Sequence, residues 1–125
     1  MSGVSTLRRT SSGCLIILGL LAGCTVGEEH GEALVQARGQ LLLEQYDCGR
    51  CHVIPGVRRA NGRIGPSLET FAHHVYLAGE VPNRPEVLLQ WIPHPSSLVP
   101  DTLMPDQPMP AEHARDMGAY LMSLR

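Results

Sequence analysis

The sequence Cys48-Gly49-Arg50-Cys51-His52 constrains this chain more than any other feature. Two cysteines separated by two residues can each form a thioether with one vinyl group of a porphyrin. The histidine directly after the second cysteine then lies beneath the iron, where its imidazole is the proximal ligand. The motif therefore predicts one haem c, attached covalently through Cys48 and Cys51 and ligated by His52.

Two other kinds of site use a Cys-x-x-Cys pair. A zinc site needs two further Cys or His ligands, usually as a second cluster, and the sequence has no second Cys pair. A thioredoxin-like redox pair follows a strand in a βαβ unit, whereas the residues before Cys48 have a helical pattern. Haem attachment is therefore the preferred interpretation of this motif.

The N-terminal residues 1–23 resemble a bacterial lipoprotein signal peptide. Arg8 and Arg9 precede an apolar run that is too short to span a bilayer comfortably. The run ends in Leu-Ala-Gly-Cys, the small-residue pattern of a lipobox, which predicts a lipid on Cys24; an ordinary secretory signal or an uncleaved anchor is the alternative. We therefore expect an exported protein on the periplasmic side of a bacterial membrane, with a lipidated N-terminus and polar tether over 24–34.

The charge of the chain argues against nucleic acid as a partner. Removal of the signal peptide takes away two arginines and no acid, so eight basic and twelve acidic residues remain, a formal net charge of −4 (8 − 12). The chain contains no lysine, so it lacks the lysine ring that steers some electron carriers onto acidic partners.

Only five aromatic residues are present, which predicts a thin core for a domain of this size. A buried porphyrin would supply the missing apolar bulk. We therefore expect the haem-free chain to be largely unfolded.

The pattern of apolar residues after the tether is helical, and no segment has the alternation typical of a β-strand. The first predicted helix covers 32–46, and its apolar face consists of Leu34, Ala37, Leu41, Leu42 and Tyr46. A short helix is predicted over 65–76, and another, with Asn83 as its N-cap and Pro85 in its first turn, continues to residue 92. An extended loop over 96–110 and a last helix over 111–124 complete the prediction.

The sixth ligand of the iron would be a methionine, a histidine or no side chain. Met104 lies in the proline-rich loop, where the stiffened chain can hold a weak sulfur ligand. Met109 directly precedes the last helix, where an apolar residue is expected to pack against that helix, so Met104 is preferred. The lesser candidates are His73, His74 and His94.

An arginine cluster follows the haem motif and contains Arg58, Arg59 and Arg63. One of these side chains would neutralise a haem propionate through a charge-assisted hydrogen bond, and Arg63 is included among the candidate cofactor-binding residues. A solvated loop is the alternative interpretation.

The motifs together resemble a class I cytochrome c over about residues 35–125. Gly65-Pro66-Ser67-Leu68 matches the Gly-Pro-x-Leu of that family, Leu103-Met104-Pro105 matches its axial Met-Pro, and Ala119-Tyr120-Leu121 matches its terminal helix. The resemblance implies an all-α fold of three to five helices around one covalently attached haem c, with His52 and Met104 as the iron ligands. Two departures from the family pattern, Pro110 as the cap of the last helix and the spacing of Gly39 from the haem motif, do not touch the ligands.

The resemblance also implies roles for four further residues. The carbonyl of Pro66 would accept a hydrogen bond from the ring of His52, and the indole of Trp91 would hydrogen-bond a haem propionate. Tyr120 of the last helix would pack on Gly39 of the first.

The implied function is one-electron transfer, without enzymatic activity of its own. The segments around Trp91 and Met104 look like variants found with membrane oxidases, so the expected partners are a membrane oxidase or dehydrogenase and, through lipid, the membrane. The alternatives are a haem subunit fixed inside such a complex and a small-ligand sensor with an open sixth position.

Overall fold

A computed structural model describes residues 26–125, and the predicted signal peptide and Cys24 lie outside the described residues. The described part is built mainly of helices, with two short 3₁₀ turns and one small hairpin. The α-helices are α1 (Val26–Gln45), α2 (Pro85–Trp91), α3 (Pro95–Leu98) and α4 (Ala111–Ser123). The 3₁₀ turns are Cys48–Arg50 and Phe71–His73, and the antiparallel strands are β1 (Tyr76–Leu77) and β2 (Val81–Pro82). Within these residues no helix is both long and apolar enough to cross a membrane.

Helices α1 and α4 form the most extensive packing between elements, and they cross at Gly39. A Cβ at this position would overlap the backbone carbonyl of Asp116 and lie 3.0 Å from the Cβ of Tyr120. Only a residue without a side chain permits this approach. The predicted contact between Gly39 and Tyr120 is therefore present.

Polar contacts flank the crossing. Arg38 Nε lies 3.0 Å from a carboxylate oxygen of Asp116, whose residue is only 8% exposed. The hydroxyl of Tyr46 lies 2.9 Å from Nδ1 of His113. The buried Asp116 carboxylate therefore has a cationic partner, as a buried charge requires.

The predicted start of the first helix was wrong. α1 begins at Val26 rather than at residue 32, so the segment predicted as a polar tether forms its first turns. Residues 26–31 contain no proline, and Glu28 and Glu29 favour a helix, although Gly27 and Gly31 do not.

Three of the five residues on the predicted apolar face of α1 are exposed, whereas Leu42 and Tyr46 pack against the hydrophobic core as predicted. Leu34 and Leu41 are 67% and 66% exposed, and Ala37 is exposed as well, whereas Leu43 is buried at 2%. The contact with α4 runs through Gly39, and a residue four positions later lies on the same side of a helix. The close approach of the backbones thus determines the buried face, not the distribution of leucines.

The helix predicted over 65–76 is reduced to the 3₁₀ turn Phe71–His73, and a hairpin that the sequence did not predict follows it. Tyr76 pairs with Pro82 and Leu77 with Val81. Strands of two residues are too short to produce an alternating pattern, which explains why the sequence shows none.

Asn83 does not cap α2, because Arg84 occupies the N-cap position. The amide of Asn83 instead donates hydrogen bonds to the carbonyls of Phe71 and His74, at 3.2 and 3.0 Å. Pro85 begins α2, in its predicted first turn. The first residues of the predicted loop over 96–110 belong to α3 instead. This helix begins at Pro95, because proline is well suited to the first position of a helix.

The crossing predicts opposite effects for two glycines of α1. Gly39→Ala would push α1 away from Asp116 and should lower the free energy of unfolding by about 1–3 kcal/mol or more. Gly31→Ala is the matched control, because nothing lies within 4 Å of its Cβ and alanine favours a helix over glycine by up to ~1 kcal/mol. Urea unfolding of both variants measures the difference, and equal stability of the two would contradict the crossing.

Candidate functional site

One side of the core encloses a cavity of about 520 Å³, within the range of small-molecule and cofactor sites. Its walls are mainly apolar and come from the end of α1, the haem motif, the hairpin, α2, the loop after α3 and α4. The apolar wall residues include Leu43, Leu68, Phe71, Leu77, Leu88, Trp91, Ile92 and Leu121. The cavity therefore lies where the buried faces of all these elements converge.

Cys48, Cys51 and His52 line this cavity together. α1 stops at Gln45, and Asp47 adopts a left-handed conformation with φ 59°, which aspartate tolerates better than most residues. A 3₁₀ turn follows, in which the amides of Cys51 and His52 donate to the carbonyl of Cys48 at 3.2 and 3.1 Å. The turn thus brings the three side chains of the motif to one wall.

The ring of His52 is held by the segment that follows the motif. Its Nδ1 lies 2.7 Å from the carbonyl oxygen of Pro66, the contact that the resemblance implies. With the proton on Nδ1, Nε2 keeps its lone pair and is free to bind a metal. Gly65 lies directly against the ring, so a Cβ there would be only 2.8 Å from Nδ1.

The cavity separates the candidates for the sixth ligand. Met104 and His74 line it, whereas Met109, His73 and His94 do not. Met109 packs against the hydrophobic core instead, and His94 lies 4.0 Å from Asp106 at the surface.

The loop that carries Met104 is fastened at several points. The Met104 amide donates to the hydroxyl of Thr102 at 3.2 Å, and the Gln107 amide donates to the carbonyl of Pro93 at 2.9 Å. The hydroxyl and amide of Ser96 donate to the carboxylate of Asp106. These hydrogen bonds lower the pKa of Asp106. The carboxylate therefore stays charged, and keeps its bonds to Ser96, down to a more acidic pH.

Of the predicted propionate partners, the structure places Trp91 at the cavity but none of the arginines. Trp91 lines the cavity, is 8% exposed, and its indole N–H has no hydrogen-bond partner among residues 26–125. Arg63 is exposed and does not line the cavity, so the structure does not bring it to the site. Arg58 forms an ion pair with Glu44, and Arg58 and Arg59 lie at a separate small surface pocket.

The described residues do not support a zinc site or a thioredoxin-like redox pair at Cys48 and Cys51. Within them no group of three or more His, Cys, Asp or Glu side chains is arranged to hold a metal ion. Burial raises the pKa of the Cys48 thiol to about 11, so it lacks the thiolate character of a reactive redox pair.

Several cavity residues were not singled out from the sequence. Those nearest the mouth include Ile64, Tyr76 and Leu103, which are 76%, 55% and 91% exposed although they line the cavity. Large apolar residues close in sequence to a predicted ligand, such as Leu103 beside Met104, could have indicated the mouth of the cavity. The hairpin that contributes Tyr76 left no trace in the sequence pattern.

Searches against known proteins give one informative similarity. No family model matches the chain. The cytochrome c oxidase subunit 2 of Alkalihalophilus pseudofirmus is 34% identical over 99 residues, which cover 78% of this chain and 28% of that protein. The chain is thus a distant homologue of a segment of that oxidase subunit and spans little more than a quarter of its length.

The contact of Gly65 with His52 gives a test of the site geometry. Gly65→Ala would force the ring or the segment to move and break the bond to Pro66, with an expected loss of about 1–3 kcal/mol in the free energy of unfolding. Gly118→Ala is the control, because its Cβ would lie 3.4 Å from Leu88, an ordinary contact. Denaturant unfolding and the ring ¹⁵N resonances of His52 measure the effect; an unchanged His52 resonance in the Gly65 variant would contradict the geometry.

Proposed function

We propose that this chain is an electron-transfer protein of a membrane respiratory system and, more specifically, a mono-haem c-type cytochrome with the class I fold. The observation that carries the proposal is the apolar cavity that Cys48, Cys51, His52 and Met104 line together. The similarity to an oxidase subunit supports the coarser part, an electron-transfer role in such a system.

The donor set of the cavity suits haem c. Two cysteines of one turn supply the thioethers, an imidazole with a free Nε2 supplies a nitrogen ligand, and a methionine supplies a sulfur ligand. The remaining wall is apolar, as a porphyrin face requires, and Trp91 offers an unused hydrogen-bond donor. The residues present therefore fit this group.

The residues of the chain would contribute position and environment. Haem iron, when bound, supplies the one-electron couple. The carbonyl of Pro66 orients the ring of His52 and raises its basicity through the hydrogen bond at Nδ1. The fastened loop holds Met104 at the cavity, and a thioether ligand raises the reduction potential. Leu68, Leu88 and other apolar walls exclude water and keep the local dielectric low.

We further propose that the mature protein carries lipid on Cys24 and lies on the periplasmic side of a membrane. α1 begins two residues after Cys24, so a helix rather than a flexible tether would connect the lipid to the domain. Lipid anchoring raises the effective concentration of a carrier at its membrane partners. The partners would be a membrane oxidase or dehydrogenase.

A second candidate is a haem subunit fixed inside an oxidase or dehydrogenase complex. The similarity to a segment of an oxidase subunit favours it, because that segment belongs to a larger chain. Extraction of the untagged protein in mild detergent distinguishes the two: co-purification with a complex indicates a fixed subunit, and recovery as a single small protein indicates a carrier.

The absorption spectrum tests the site directly. Protein from a host that attaches c-type haem should show covalent, low-spin haem and the weak near-infrared band of methionine bound to ferric iron. Met104→Ala should abolish that band, because Met104 lines the cavity, whereas Met109→Ala should keep it, because Met109 does not.

Other spectra would contradict parts of the proposal. High-spin ferric haem in the unaltered protein, with binding of CO to the ferrous form, would favour the small-ligand sensor. Low-spin haem without the near-infrared band would favour a histidine, of which His74 is the one that shares the cavity with His52. A protein without covalent haem would refute the proposal.

The cavity also predicts that folding depends on its occupant. Replacement of both Cys48 and Cys51 by serine should prevent covalent attachment and leave about 520 Å³ of the core unfilled. Unfilled apolar cavities are costly, and the whole chain contains only five aromatic residues. The variant should show no cooperative thermal transition by circular dichroism, whereas the haem-loaded protein should; a sharp transition in both would contradict the prediction.

A further inference from the structure

The acidic edge of a haem favours cationic partners, and the described cavity wall provides few of them. No arginine or lysine is among the residues that line the cavity. The wall side chains that can carry a positive charge are two histidines, His52 and His74. His52 is bound to the Pro66 carbonyl and, in the proposed function, to iron. His74 is therefore the cation available to a propionate.

We propose that His74 is the cationic positioning residue for the propionate edge of the haem, the role expected from sequence for one of Arg58, Arg59 and Arg63. The proposal rests on the proposed function. The assignment of His74 goes beyond the proposed function, because it names a residue that makes the reduction potential depend on pH.

Two hydrogen bonds and one ring contact hold His74 at the cavity wall. Its amide donates to the carbonyl of Phe71 at 3.0 Å, and its own carbonyl accepts from the half-buried side-chain amide of Asn83, also at 3.0 Å. Its ring packs against the ring of Phe71, with centroids 5.6 Å apart and planes tilted by 55°. The half-buried imidazole thus lies on the same cavity wall as Trp91.

Few other charged groups surround His74. The titratable side chains that share the cavity wall with it are Asp47, Cys48, Cys51, His52 and Tyr76. The cysteines would be thioethers and His52 a ligand, which leaves the carboxylate of Asp47 and the phenol of Tyr76. The neighbouring elements add Glu69 and His73 at the 3₁₀ turn, Glu80 between the strands of the hairpin, and Arg84 beside Asn83. Arg125 follows α4, which packs on that turn. Within the described residues His74 forms no ion pair with any of them.

The sign of the effect follows from electrostatics. Ferric haem carries one more positive charge than ferrous haem, so a protonated His74 nearby disfavours the ferric state and raises the potential. Loss of the proton removes this repulsion. The potential should therefore fall as pH rises through the range in which histidines titrate, about pH 5 to 8.

The test is a redox titration of the haem-loaded protein across this pH range in four forms. The unaltered protein should show a falling potential, and His74→Gln should lose the fall. His74→Arg, which keeps its charge throughout, should hold the potential near the low-pH value of the unaltered protein. His73→Gln is the matched control, because His73 is the adjacent histidine, is exposed and does not line the cavity, so it should behave like the unaltered protein.

Each other outcome overturns the proposal. The propionates themselves are present in every variant, so an equal fall of the potential in His74→Gln would show that they, and not His74, cause it. A changed ferric spectrum in His74→Gln would make His74 an iron ligand instead. Should His74→Gln fail to retain haem, a potential of His74→Arg that still falls with pH would overturn the proposal. Absence of covalent haem from the unaltered protein would instead mark failure of the proposed function.

Discussion

The close contact of α1 with α4 at Gly39 is the constraint on which the rest of the structure depends. The backbone of α1 approaches until it meets the carbonyl of Asp116, and the neighbouring Arg38 pairs with the carboxylate of the same residue at 3.0 Å. Because α1 leads directly into the turn that carries Cys48, this crossing helps to position that turn relative to α4. Leu121 of α4 consequently becomes a wall of the same cavity.

The candidate site combines three segments that are distant in sequence, each held in a different way. The motif is shaped by a local turn after Asp47, and the ring of His52 is oriented by a backbone carbonyl fourteen residues later. Met104 depends on a loop that is attached to α3 through Ser96 and Asp106. An apolar occupant of the cavity would connect all three, which explains why the small core is arranged around an opening.

Much of the site could be predicted from the sequence, because its central parts are local. The order and spacing of Cys48, Cys51 and His52 predict haem attachment without knowledge of the fold. The preference for Met104 over Met109 rested on the position of Met109 directly before the last helix, and of these two methionines only Met104 lines the cavity. The positions of Arg63 and His74 could not be predicted, since both depend on how the segment 58–76 turns after the motif.

The sequence alone determined the helical character and the glycine at which the helices cross, and its Cys-x-x-Cys-His motif carries the proposal of haem c. Each depends on neighbouring residues or on a residue with unique backbone freedom. Tertiary structure alone decided which face of α1 is buried, where the hairpin forms and which histidine reaches the cavity. Leu34 and Leu41 have the spacing of a buried stripe, yet they face solvent because the approach at Gly39 rotates the helix. Burial depends on what an element packs against, and that partner is distant in the chain.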